Sequence, residues 1–479
     1  MYLERYLNQI PMNSGWATEA QFAASGCIAS QWSSAPEEGG VVLSSSGNDV
    51  ICDGGRECRN VLVIGATGSG KSRRIIIPSL LRTMTAKNKR SLVVYDVKGE
   101  LEPATLSTAQ RCGYRVLRID FRDPRRSDGW NPLAKANELM KAGKSEEAWK
   151  LVEDIMAIIF SDGEGSRIDA FWRTTSASIF RACVDVIWHN KLPATMESII
   201  HLSSTIPANS YDADQCKLYK LIDRIANSNI AASAISAVRN ASDATRGNIL
   251  AAYNAYVSCM ASRHDVLHMI SCSSSSIAFG KIGEEPTVLY ISLPDDSTTT
   301  GTLQGIVLRQ LEQELNECAL RHGGTLPVRT EIYIDELCNI LPALSSLPHS
   351  ITIARSRGIR YVLAIQSYSQ LQSVYGNSAE TIAANCATWM AVYIPKDEVF
   401  REKLSALCGR NAMGELLITP SQLADIPFGR CIVLRERCHP YCAPLEDLSE
   451  VVSHLNASLP PLPRPHGNRR SISPAPPSW

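Results

Sequence analysis

No stretch of this 479-residue sequence approaches the run of about 18 apolar residues that a membrane-crossing helix requires. The first residues, MYLERYLNQIPMNSGW, also lack the charged-then-apolar order of a secretory signal. Net charge is missing too: 48 Lys+Arg stand against 48 Asp+Glu, which excludes a histone-like or polybasic binder but leaves room for a local basic patch. The basic clusters Arg73-Arg74, Lys87-Lys89-Arg90 and Arg122-Arg125-Arg126 read as solvated surface. The 15 cysteines show no repeated C-x-x-C spacing, so they read as small, reduced core residues. Cys431, Cys438, His439 and Cys442 are compact, but only Cys438 and Cys442 come near zinc-ligand spacing. His264 and His268 lie four apart, yet Asp265 stands where a metalloprotease needs Glu. The chain itself is expected to be soluble and cytosolic, with any membrane contact made through a partner or through a segment outside this sequence.

Residues 65–72 are GATGSGKS, set between the apolar run Val61–Ile64 and a helix-like stretch. This is a phosphate-binding loop in the strand–loop–helix context that its chemistry demands. Gly65, Ala66, Thr67, Gly68, Ser69 and Gly70 supply a backbone able to turn its N–H groups onto phosphates. Lys71 is placed to neutralise them, Ser72 offers a hydroxyl to Mg²⁺, and the following helix points its positive end at the same place. The chain therefore reads as a nucleoside-triphosphate binder. The same helix, Arg73 to Met84, is expected to kink at Pro78.

Composition divides the chain further. Its length exceeds what one core usually serves. Residues 1–45 are rich in Ser, Gly and Ala and read as an arm or small peripheral lobe. In residues 46–135, buried-type strands (Val61–Ile64, Ser91–Tyr95, Tyr114–Ile119) alternate with helices, the pattern of a parallel sheet covered on both faces. Residues 136–270 carry helical spacing with few Gly or Pro and read as an inserted all-α domain. Strands resume in residues 271–453, at Thr287–Leu293, Glu331–Asp335, Arg360–Gln366, Trp389–Ile394 and Cys431–Leu434. Residues 454–479, rich in Pro, Ser and Arg, read as a disordered tail.

Hydrolysis needs a carboxylate near Mg²⁺ and a second group to activate water. Of the strands that end in Asp, only Ile332-Tyr333-Ile334-Asp335 continues with Glu. Asp335 is assigned to Mg²⁺ and Glu336 to the attacking water; the plain alternative is that the pair caps a helix. Asp96 reads as a strand-end residue facing the same crevice. Gln366 ends a later strand and suits a sensor of the terminal phosphate and the water. Between them, Arg355, with Arg357 in reserve, suits an arginine that completes a neighbouring copy's site.

In their order along the chain, these pieces resemble the coupling-protein ATPases of type IV secretion and conjugation, the TraG/TraD class of the RecA-like hexameric DNA pumps. The carriers are GATGSGKS, Asp96-Val97-Lys98-Gly99-Glu100, Trp130-Asn131-Pro132-Leu133, Phe171-Trp172, IYIDE, Ala354-Arg355-Ser356-Arg357-Gly358 and Ala364-Ile365-Gln366-Ser367. The resemblance implies an α/β fold: a RecA-like P-loop NTPase domain with a central, mostly parallel sheet, plus an inserted all-α domain that docks cargo. It implies ATP and Mg²⁺ as cofactors and a homo-hexamer at the cytoplasmic face of the bacterial cell membrane. As partners it implies relaxase-bound DNA or effector proteins and the proteins of a secretion channel. Members usually begin with two membrane spans, which this sequence lacks. A chromosome-segregation DNA translocase of the same fold and a nucleotide-gated adaptor with little turnover are the alternatives.

Overall fold

The computed structural model describes residues 15–54, 58–161, 170–225, 229–261, 263–272, 277–294, 301–340, 346–394, 397–456 and 459–460. Most of the tail, 461–479, and the first 14 residues lie outside them. The strands are β1 (Ile28–Gln31), β2 (Val41–Ser46), β3 (Asp49–Asp53), β4 (Val61–Ile64), β5 (Ser91–Asp96), β6 (Arg115–Asp120), β7 (Thr287–Ser292), β8 (Thr330–Ile334), β9 (Ile359–Ile365), β10 (Thr388–Ala391), β11 (Arg430–Arg435) and β12 (Tyr441–Pro444). β4 to β12 form a nine-stranded sheet in the order β12-β11-β10-β4-β9-β8-β5-β7-β6. Pairing is parallel from β6 through to β10, and antiparallel only at the β10–β11 and β11–β12 edge.

The continuous apolar runs of β4, β5, β8 and β9 are explained by burial on both faces: every residue in these strands is buried. Alternation sends Leu62, Ile64, Val93 and Tyr95 to one core and Val61, Val63, Leu92 and Val94 to the other. The second core is closed by the helices Ile77–Thr85 and Leu101–Arg111 and by the N-terminal lobe. That lobe is an antiparallel sheet, β1-β3-β2, whose period-two pattern is blurred in sequence by the buried run Val41-Val42-Leu43 and a register shift between Val42 and Ser44.

Between β6 and β7 the described residues form helices and no strand, among them Ser145–Ile159, Ala170–His189, Met196–Ser203 and Asp243–Ala261. Their buried side chains (Ile155, Phe180, Ile199 and Tyr253 among others) belong to the same contiguous core as one face of the sheet. The Trp130–Leu133 segment joins the two parts. Trp130 Nε1 donates to Gln310 Oε1 at 3.2 Å, and Gln310 Nε2 donates to the Pro132 carbonyl at 2.6 Å, which ties the segment to the long helix Gly301–Arg321.

Regular α-helical winding is interrupted just ahead of Pro78. Residues Ser72–Ile76 form a π-helical turn that runs directly into the α-helix Ile77–Thr85, with Pro78 as the second residue of the α-helical part. The Ile77 N–H reaches back five residues to the Ser72 carbonyl, and the widened turn makes room for the ring.

The basic clusters are largely neutralised within the chain. Arg73 pairs with Asp447 at 2.7 Å, Lys87 with Glu37 at 2.5 Å, and Arg126 with Glu102 at 3.4 Å. Arg90 is buried: it binds Glu331 at 2.7 Å, and Arg360 approaches the same carboxylate at 3.3 Å. All 15 cysteines are unbridged.

Candidate nucleotide site

Parallel register brings the site together. Ile64 of β4 pairs with Ile365 of β9, and Leu363 of β9 pairs with Ile334 of β8. Gly65, Gln366 and the Asp335-Glu336 pair therefore leave the sheet side by side at its carboxyl edge. Tyr95 of β5 pairs with Ile334, so the turn after Asp96 emerges beside them.

The loop after β4 is anchored at its start: Gly65 N–H donates to the Ile365 carbonyl at 3.1 Å and Ala66 N–H to the Tyr393 carbonyl at 2.9 Å. Gly68 and Gly70 have φ of +76° and +90°, the left-handed region that a side chain resists. A Cβ at Gly65 would stand 2.7 Å from Ser69 Oγ, inside the cradle itself. Lys71 Nζ folds over this loop, 3.3 Å from the Ala66 carbonyl. Burial lowers the Lys71 pKa, opposed by the nearby carboxylates of Glu336 and Asp335.

Ser72 Oγ donates to Asp335 Oδ2 at 3.2 Å, although 263 residues separate them. Asp335 is fully buried, and its Oδ1 has no hydrogen-bond partner among the described residues. Burial pushes its pKa up from 3.8 to about 6, against the pull of Lys98. A hydroxyl and a carboxylate in contact, with one carboxylate oxygen unused, are the donor set that a hard divalent cation takes. The residues present fit Mg²⁺ beside a phosphate cradle.

Glu336 occupies the left-handed region, φ 62° and ψ 53°, unusual for a non-glycine residue. Although it stands at the start of a short 3₁₀ turn, its side chain makes no cap hydrogen bond there, so the helix-cap alternative does not hold. Its Oε1 accepts from Lys98 Nζ at 2.8 Å and its Oε2 from Gln366 Nε2 at 2.7 Å. Burial would raise its pKa, but the Lys98 and Gln366 hydrogen bonds and the Lys71 charge outweigh that and hold it below the usual carboxylate value.

Lys71, Ser72, Asp335, Glu336 and Gln366 thus form one cluster, and Arg355 does not join it. It lies exposed in the last turn of the helix Leu347–Arg357, ahead of β9. The seven residues of β9 separate it from Gln366 by about 23 Å. Arg357 sits in the same last turn and donates to the Gly324 carbonyl at 3.3 Å. Asp96 is a local support: its two carboxylate oxygens accept the backbone N–H groups of Gly99, Glu100, Leu101 and Glu102.

Lys98 was not singled out from sequence as a site residue, because its partner Glu336 is 238 residues away. The only available signal was its place just past a strand end in the Asp96–Glu100 motif. The C-terminal edge also contributes: Arg74 lies 4.5 Å from the ring centre of the exposed Phe428 and binds the Leu445 carbonyl. Among the described residues, the group with metal-ligand chemistry elsewhere is Glu284, Cys318 and His322, rather than Cys438 and Cys442 or His264 and His268. Two of its members are already engaged, Glu284 by Arg321 at 3.3 Å and His322 Nδ1 with the Cys318 carbonyl at 2.9 Å.

Fold and site together define a RecA-like P-loop NTPase. Residues 24–421 match the model of the family described as Type IV secretory system Conjugative DNA transfer, and the chain belongs to that family. Among solved structures, the plasmid coupling protein TrwB in complex with ADP and Mg²⁺ is similar at TM-score 0.57 and 19% identity, over 82% of this chain and 86% of that one. The same protein in complex with the non-hydrolysable ATP analogue ADPNP gives TM-score 0.56 and 18% identity over the same shares. VirB4 of Thermoanaerobacter pseudethanolicus gives TM-score 0.53 and 12% identity, over 88% of this chain and 100% of that one. No curated protein matches the sequence.

Proposed function

We propose that this chain is the ATPase coupling protein of a conjugative or type IV secretion system, recruiting relaxase-bound DNA or effector proteins and driving them to the transfer channel. The observation that carries this reading is the Ser72–Asp335 contact beside the glycine cradle, with Glu336 and Gln366 joined next to it. Residues 65–72 would hold the phosphates of ATP, and Ser72 and Asp335 the Mg²⁺, which when bound neutralises charge on the phosphate oxygens. Lys71 adds a cation on the loop side. Glu336 takes the proton of the attacking water, and Gln366 orients that water and the carboxylate together. Arg355, a strand's length from its own cradle, serves the cradle of an adjacent copy in a homo-hexamer.

Residues 136–270 are the cargo-docking part. Their shared core with the sheet couples cargo to the nucleotide site through packed side chains. No helix among the described residues is long and apolar enough to cross a membrane. We place the chain at the cytoplasmic face through a membrane partner or preceding spans.

The test uses the whole chain. Lys71→Ala should lose nucleotide binding, and wild-type protein should retain relaxase or effector cargo in a pull-down and hydrolyse ATP faster with DNA present. Binding of ATP without measurable turnover under any cargo would support the adaptor reading instead. Turnover driven by duplex DNA with no cargo retained would support the chromosome translocase.

A further inference from the structure

Glu336 is held from two sides. Lys98 and Gln366 each engage one carboxylate oxygen, and the carboxylate is only 2% exposed. The Lys98 side chain, by contrast, is 40% exposed. Its backbone is fixed, because Asp96 accepts four successive N–H groups of the turn that carries it. A buried carboxylate and an anchored turn leave one mobile part, the four-carbon stem of Lys98. Rotating that stem breaks the ion pair without disturbing the sheet.

The charges at the site give the rotation a cause. Lys71 and Lys98 face Asp335 and Glu336, two cations against two anions, with Glu100 acting from the turn. An arriving triphosphate adds negative charge, and Lys98 is the cation that a side-chain rotation alone can redirect.

Resting on the nucleotide reading above, we propose that Lys98 is a latch on Glu336. It occupies the carboxylate Oε1 and so keeps it from an attacking water, while Gln366 keeps Oε2, and it releases Oε1 when a terminal phosphate oxyanion competes for its ammonium. Lys98 acts through Glu336 and is a positioning residue. It makes basal hydrolysis slow and leaves the rate open to stimulation.

Lys98→Met keeps the stem and removes the charge. It should raise unstimulated turnover roughly fivefold, the scale of one partly exposed ion pair. The gain from adding DNA or concentrating the protein should shrink by the same factor, and Lys98→Arg should restore wild-type behaviour. A Lys98→Met protein at or below the wild-type rate, or one that is faster but still fully stimulated, overturns the latch.

A readout independent of turnover is a cycle of melting temperatures for wild type, Lys98→Met, Glu336→Gln and the double variant. Without nucleotide the shifts should be non-additive by roughly 1 °C. With saturating Mg²⁺ and a non-hydrolysable triphosphate they should become additive. Additivity in both conditions, or its absence in both, overturns the proposal. Failure of the wild type to bind the analogue would instead sink the nucleotide reading itself.

Discussion

Replacing Asp335 by Asn should make the nucleotide-free protein more stable while removing its use for Mg²⁺. Asp335 is fully buried, one of its oxygens has no partner among the described residues, and burial raises its pKa from 3.8 to about 6. A folded-state value above the unfolded one means that the ionised form costs stability. The cost is full above about pH 6 and is relieved as pH falls through that value toward 3.8. A shift of about 2 units corresponds to about 3 kcal/mol at pH 7. The amide that replaces the free oxygen is itself an unmet donor, costing about 1–2 kcal/mol. The net gain is about 1–2 kcal/mol, or roughly 1–2 °C in melting temperature for a chain of this length. Differential scanning fluorimetry at pH 7 reads this directly. In the same experiment, adding Mg²⁺ to ADP should further raise the wild-type melting temperature and leave Asp335→Asn unmoved. At pH 5 the gap between the two apoproteins should narrow. A variant less stable than wild type without ligand would show that the buried carboxylate is compensated by groups other than those described.

Glu336→Gln should bind ATP and retain it, with turnover reduced roughly 10²–10⁴-fold, as loss of a general base predicts; rapid-filtration retention of labelled ATP against single-turnover release checks both halves. Glu331→Gln tests the opposite edge of the sheet. It leaves Arg90 and Arg360 buried with a weaker acceptor and should destabilise the fold by about 3 kcal/mol, while ADP affinity below the unfolding transition stays unchanged. Denaturant titration and calorimetric binding separate the two effects. Trp130→Ala should lower cargo retention more than basal ATP turnover, because Trp130 and Gln310 tie the segment ahead of the helical residues to the helix Gly301–Arg321; equal losses would remove the segment from coupling.

The strands that build the site were legible because burial on both faces writes them as unbroken apolar runs, and the loop at 65–72 because its glycines mark one backbone shape. Asp335-Glu336 followed from a strand ending in two acids. Lys98 was not legible, since a lysine after a strand is ordinary until β5 and β8 are known to be neighbours. Arg90 shows the same limit: in sequence it belongs to a surface-like cluster, yet long-range partners bury it under the sheet. The N-terminal sheet was hidden because Val41-Val42-Leu43 is buried without alternation. Pro78 marked an irregularity in its helix, but its form, a π-helical turn over Ser72–Ile76, is not encoded in local propensity.

The central claim is that a nucleotide pocket built from residues 65–72, Asp335, Glu336 and Gln366 in one copy is completed by Arg355 of the next. Mixing two inactive proteins tests it most directly: Arg355→Ala, with an intact pocket, and Glu336→Gln, with an intact arginine. Each alone should be nearly inactive. The equal mixture, allowed to exchange subunits, should recover ATP turnover approaching about a quarter of the wild-type rate, from Arg355→Ala pockets served by Glu336→Gln neighbours. A mixture no more active than its components, or an Arg355→Ala protein that hydrolyses ATP normally by itself, would contradict the account.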